Sequence, residues 1–189
     1  TLFEHWTHDA SVIPAEFFCH WKLRFSRDAE RLRERWTGWQ GAAFHDRIED
    51  VLAHVLADAV ERVTMPRFKA EDLRVAAKPD LSLVSDADRT AEEVLRAQLQ
   101  RTRPRDAVVG EEFPDTGHGP RRWVVDPIDG THNFVRGVPV WATLISLIDG
   151  DEPVLGLVAA PALGRRWWAA RGTGAWTGRN ITSAKRIHV

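Results

Sequence analysis

Cysteine is almost missing from this chain: Cys19 is the only one in 189 residues, which excludes an intramolecular disulfide and favours a reducing compartment. No apolar run approaches the roughly 18 residues that a membrane span needs, and no secretory signal opens the sequence, so a cytoplasmic location and no membrane partner are expected. Net charge is equally scarce. With 26 basic and 27 acidic residues the balance is −1, which predicts no bulk attraction to nucleic acid. Methionine is limited to Met65, with none at position 1, so the reading expects a fragment or a mis-framed start. The remainder, 43% hydrophobic and 28% charged, suffices for one domain with a proper core.

The chemistry concentrates in Trp123 to Phe134, which reads WVVDPIDGTHNF. Trp123, Val124 and Val125 have the character of a buried strand, and Pro127 holds its own φ between Asp126 and Asp129, so both acids sit in a stiff turn. Gly130 and Thr131 follow, where backbone N–H groups could face an anion brought in by a metal. Upstream, the apolar Ala107-Val108-Val109 ends in Gly110-Glu111-Glu112, a second strand followed by acids. Hard cations such as Mg²⁺ take oxygen ligands, and paired metals can clamp both attacking and leaving oxygens of a phosphate ester. Glu111, Asp126 and Asp129 supply such ligands. A third acidic element, Ser85-Asp86-Ala87-Asp88, opens a helix, and Ser85 with Asp88 also reads as a helix N-cap.

These three blocks, in this order, resemble the inositol monophosphatase family of Mg²⁺-dependent phosphatases. Asp126 to Phe134 satisfy its D-P-(I/L)-D-G-T-x-N-(F/Y) motif, with the G-E-E block at Gly110 to Glu112 and an aspartate at Asp88. The resemblance runs from about Phe44 to Val189. Within the family, Arg136 to Trp141, Pro161 to Leu163 and Arg165 to Trp168 look most like the actinobacterial histidinol-phosphate phosphatases.

The resemblance implies a role for each matching residue. Glu111, Asp126 and the Ile128 carbonyl would hold one Mg²⁺, Asp126 and Asp129 a second, and Asp88 would help with a looser third. Glu111, Thr131 and Asp88 would be catalytic, and Ile128, Asp129, Gly130 and Thr131 would receive the substrate phosphate. The implied reaction is direct attack of activated water on phosphorus, without a phosphoenzyme, on a small phosphorylated alcohol. L-Histidinol phosphate is the first expectation and inositol 1-phosphate the alternative. A homodimer is also possible by resemblance. The family's later Trp-Asp motif has no counterpart here, since after Asp129 the only aspartates are Asp149 and Asp151, in a hairpin-like turn. An inactive fragment or binding module is therefore the reading from another class.

For the fold, Ile48, Val51, Leu52, Val55, Leu56, Ala59, Val60 and Val63 mark one amphipathic helix. Ala87, Ala91, Val94, Leu95 and Leu99 mark a second, ending near Pro104. Strands are expected at 107–110, 122–126, 141–149, 153–160 and 165–171. Helices followed by hairpin-linked strands predict an α+β fold. The resemblance implies the layered α/β/α/β/α sandwich of the inositol monophosphatase and fructose-1,6-bisphosphatase type, with its first half present.

Residues 44–189 are read as the N-terminal metal- and phosphate-binding part of that domain, its C-terminal part missing, and residues 1–43 as an unassigned extension, disordered or artefactual. Phe25, Ala29, Leu32 and Trp36 could form one helical stripe in that extension. Gly172, Gly174 and Gly178 have the wrong spacing for a nucleotide loop and are read as turn residues. His132, Glu112 and Asp86 are read as solvated neighbours of the motif, and one of Trp167 and Trp168 is expected to face the core.

Overall fold

A computed structural model describes residues 45–187 of the chain, and the aromatic stripe from Phe25 to Trp36 lies outside the described residues. Helix α1, His45–Arg67, buries Leu52, Ala53, Leu56, Ala57 and Val60. Val51 and Val55, included in the sequence periodicity, are instead 51% and 44% exposed. At 3.6 residues per turn the small Ala53 and Ala57 belong to the inward stripe, and the two valines fall on its outer flank. Helix α2, Asp86–Thr102, packs beside α1 through Ala91, Leu95 and Leu99. Beyond its end, Arg103 Nε donates to Glu49 of α1 at 3.0 Å.

A two-stranded hairpin, β1 Val75–Ala77 and β2 Leu83–Ser85, joins the helices. The main sheet holds β3 Ala107–Val109, β4 Arg121–Asp129, β5 Ala142–Asp149, β6 Glu152–Ala160, β7 Arg165–Ala170, β8 Gly174–Gly178 and β9 Lys185–Ile187, with neighbours in that order. Only β3 and β4 are parallel; the rest form an antiparallel meander. Both helices cover one face of this sheet, where Trp123, Val125, Ile145, Leu147, Leu157 and Trp168 complete the core. The α+β expectation holds, with a helical layer on a sheet layer among the described residues.

The five expected strands all form, but the glycine stretch departs from its reading as a turn. Gly172 does take a positive φ of 78°, whereas Gly174–Gly178 is strand β8, zipped onto β7 with Trp176 opposite Trp168. Packing of Trp176 against the core outweighs the poor strand tendency of glycine there. Trp168 joins the core, and Trp167 on the other face is buried as well. The turn at Asp149 and Asp151 is a hairpin between β5 and β6, as expected. Asp149 pairs in register with Arg121, the first residue of β4. Eight residue steps of roughly 3.3 Å each separate it from Asp129 at the far end of that strand.

Candidate metal and phosphate site

Two carboxylates three positions apart would ordinarily project from opposite faces of a strand. Here β4 changes register between them: Asp126 pairs with Leu144 and Asp129 with Ala142, so three steps on β4 match two on β5. This one-residue bulge turns both acids to the same side. Pro127 sits within it, where the missing N–H is tolerated, and its carbonyl accepts from Thr143 Oγ1 at 2.8 Å. Asp126 Oδ1 accepts the Ile128 amide at 3.1 Å, which fixes that carboxylate against its own turn.

Gly130 follows in the left-handed conformation, φ 90° and ψ 39°, and starts the short helix α3, Thr131–Val135. The turn rests on an aromatic cushion. Phe134 meets Trp141 edge-on at 4.9 Å, and Phe68 lies against both at 5.5 and 5.6 Å. Ile128 and Ala87 fill the same cluster, which ties the start of α2 to the motif.

At that helix start the two readings of Asp88 prove compatible. Its Oδ2 accepts from the Ser85 amide at 2.8 Å and from the Ser85 hydroxyl, a capping arrangement. Its Oδ1 faces Thr131 Oγ1 at 3.1 Å. Thr131 Oγ1 is equally 3.1 Å from the Ile128 carbonyl, so its single proton is shared between two acceptors. Asp88, Ile128 and Thr131 thus come together directly.

Glu111 is paired with a lysine that the sequence reading did not single out. Lys78, just beyond β1, places its Nζ 2.8 Å from Glu111 Oε1 and 2.7 Å from Glu112 Oε1. Glu112, read from sequence as solvated, has a side chain only 5% exposed, because it is half of this lysine fork. Asp86 does lie nearer the surface, bonded to Arg67 at 3.0 Å, and His132 is exposed, as expected. Glu92 was missed altogether. It is fully buried on α2, and its Oε2 accepts the amides of Glu111 at 3.0 Å and Glu112 at 2.7 Å. Its spacing of four from both Asp88 and Arg96 was the available signal.

The electrostatics describe a cluster of negative charge short of positive charge. Burial first, then the charges of Glu111 and Asp129, push the Asp126 carboxyl well above its usual range. Burial and Glu111 push Asp129 up to about 8. Asp88 is also raised by burial, against the bonds from Ser85 and Thr131. Lys78 is raised: burial opposes its charge, but the hydrogen bonds and charges of Glu111 and Glu112 overcome that.

Asp129 Oδ2 is buried without a hydrogen-bond partner. Among the described residues no three His, Cys, Asp or Glu side chains converge closely enough to cage a metal as they stand, and Glu111 is drawn to Lys78. The donor set nevertheless suits a hard cation: it is all oxygen, its acids share one side, and their mutual repulsion is what a divalent ion would relieve.

Residues 47–189 match the model of the inositol monophosphatase family. The chain is 63% identical over 149 residues to the histidinol-phosphatase of Streptomyces coelicolor, covering 76% of this chain and 56% of that protein. To the histidinol-phosphatase of Mycobacterium tuberculosis it is 54% identical over 140 residues, covering 74% of this chain and 54% of the relative. Among solved structures, the Thermotoga maritima IMPase aligns with a TM-score of 0.67 at 30% identity, over 76% of this chain and 54% of that one. The Bartonella henselae extragenic suppressor protein suhB aligns with a TM-score of 0.64 at 30% identity, over 70% of this chain and 52% of that one. The chain spans a little over half the length of these curated relatives.

Proposed function

Because the chain belongs to the inositol monophosphatase family, we propose that residues 44–189 supply the metal- and phosphate-binding part of a Mg²⁺-dependent phosphomonoesterase that hydrolyses L-histidinol phosphate to L-histidinol and phosphate. The observation that carries this reading is the β4 bulge, which sets Asp126 and Asp129 on one side with an oxygen of Asp129 buried and unpartnered. The substrate follows from the histidinol-phosphatases to which the chain is 63% and 54% identical. The family reading carries with it a cytoplasmic, homodimeric enzyme acting on a small phosphorylated alcohol.

Glu111, Asp126, Asp129 and the Ile128 carbonyl would hold Mg²⁺, with Asp88 beside them, in a set of two or three ions. Bound there, Mg²⁺ would neutralise the charge of the phosphate and of the departing alkoxide. The protein's own residues do the rest. Asp88 accepts from Thr131 Oγ1 and so orients that hydroxyl, which can take a proton from an incoming water as it passes its own to Asp88. The turn at Gly130 and Thr131 presents backbone amides to the phosphate oxygens, and the aromatic cushion under α3 keeps that turn from shifting.

Phosphate release from L-histidinol phosphate and from inositol 1-phosphate, with Mg²⁺ and with EDTA, tests the reading on the product of the complete reading frame. Mg²⁺-dependent release that favours histidinol phosphate is the expected result. Release that survives EDTA, or survives Asp126→Asn, overturns it, and a preference for inositol phosphate moves the substrate but keeps the chemistry.

A further inference from the structure

Glu92 is an acidic residue and completely buried, and no part of the chemistry above uses it. One of its oxygens, Oε2, accepts two successive backbone amides, those of Glu111 and Glu112. The other, Oε1, takes Arg96 Nε at 2.8 Å from one helical turn further along α2. Arg96 then reaches past Glu92 to the same loop, donating to the Phe113 carbonyl and to Thr116 Oγ1, each at 3.1 Å. The Phe113 ring lies under Arg89 at 5.0 Å and Arg96 at 5.9 Å. Gly110 completes the fit: a Cβ there would stand 1.9 Å from Glu92 Oε1, so no larger residue can occupy the position while Glu92 keeps its place.

The clasp fixes the backbone of the acidic loop to α2, the helix that also carries Asp88, one turn before Glu92. Asp88 meets Thr131 at the start of α3, two residues beyond β4, so a single rigid element spaces the Glu111 loop from the Asp126–Asp129 bulge. The Glu111 side chain reaches its partners from an anchored backbone rather than from a free loop. Carboxylates that ligate cations gain affinity when their own supports are held in this way.

We propose that Glu92, braced by Arg96, is a positioning residue for the cation site: it sets the backbone of Glu111 so that this carboxylate is presented to a divalent ion shared with Asp126. The inference rests on the proposed role of Glu111 as a cation ligand. It assigns function to an interaction that could otherwise serve stability alone, and the two roles separate experimentally.

The test is Mn²⁺ affinity of the full-length protein, measured by electron paramagnetic resonance without substrate, alongside the unfolding midpoint in EDTA and hydrogen exchange at the Glu111 and Glu112 amides. Glu92→Gln retains one oxygen for the amides but presents an NH₂ group to Arg96. It is expected to weaken Mn²⁺ binding by about 10- to 100-fold and to speed exchange at both amides. Arg96→Lys, which leaves Glu92 its charge and partner sign, should show the same loss in smaller measure and covers the case in which Glu92→Gln does not fold. Affinity unchanged in either folded variant, with Asp126→Asn still abolishing it, overturns the positioning role and leaves the cation site standing. Mn²⁺ binding that survives Asp126→Asn removes the cation reading and this inference with it.

Discussion

Lys78 Nζ lies 2.8 Å from Glu111 Oε1 and 2.7 Å from Glu112 Oε1, so the hairpin between the two helices supplies a cation to the edge of the acidic cluster. That ammonium would compete with the divalent ion proposed for Glu111. Lys78→Met is expected to lower the unfolding midpoint in EDTA, because two carboxylates lose their shared partner, and to gain more from added Mg²⁺ than the native chain does. Thermal unfolding over a Mg²⁺ titration checks this. An equal or smaller Mg²⁺ gain in the variant would show that the lysine does not oppose the ion.

Thr131 offers one proton to two acceptors, Asp88 Oδ1 and the Ile128 carbonyl. Thr131→Ala removes the hydroxyl without touching the backbone amides proposed to hold phosphate. Turnover should fall about 10²-fold or more, the scale of a lost proton-transfer group, with KM little changed, and Thr131→Ser should recover most of it. Steady-state kinetics on both variants decide. A rise in KM with normal kcat would make Thr131 a binding residue only.

Gly130 has φ 90°, and an added Cβ would lie 3.3 Å from the Val140 carbonyl. An L side chain in that conformation costs about 1–2 kcal/mol. Gly130→Ala should therefore lose about that much stability in a denaturant titration, and more of its activity than its stability, since the turn carries the amides proposed to face phosphate. A variant as stable as the native chain would show that the turn relaxes freely.

Far from the acidic site, Asp50 and His54 face each other on α1, His54 Nε2 4.0 Å from Asp50 Oδ1, and each atom is buried without a hydrogen-bond partner. Burial raises Asp50 from 3.8 to about 6. Burial, then the charge of Arg166, lowers His54 from 6.5 to about 4. The folded state thus holds the Asp50 proton more tightly than the unfolded chain, and that contribution is present below 3.8 and lost as pH rises through about 6. His54 acts in the opposite sense, costing stability as pH falls from 6.5 to about 4. Asp50→Asn should be more stable than the native chain at neutral pH, and its advantage should shrink as pH falls through about 6 and be gone below 3.8. Unfolding midpoints across this range check it. An advantage that grows on acidification would contradict the assignment.

Much of this was legible in the chain, for identifiable reasons. The helices carry strong apolar periodicity, and the β4–β5–β6 meander is built of continuous apolar runs, so both were readable. Hairpin β1–β2 was not, because its strands are three residues long and β1 is exposed throughout, leaving no alternation to detect. Strand β8 was hidden by its glycines. At the site, Asp126, Asp129, Gly130 and Thr131 stand out as one contiguous motif in a strand-and-turn context. Lys78 and Glu112 lie 34 positions apart, and Glu92 reaches the acidic loop from 19 and 20 positions away. Such pairings exist only once α2 and the sheet are packed. The bulge at Pro127 was half visible: the proline marked a stiff turn, but only the pairing with β5 shows that it brings both acids to one side.

The most direct test of the central claim is anomalous diffraction from crystals of the full-length protein grown with Mn²⁺ and inorganic phosphate. The account predicts metal peaks against the carboxylates of Asp126 and Asp129, one also touching Glu111, with Lys78 displaced from Glu111 and phosphate at the Gly130–Thr131 turn. Mn²⁺ bound elsewhere, with Lys78 still closing on Glu111 and the acids unliganded, would contradict it.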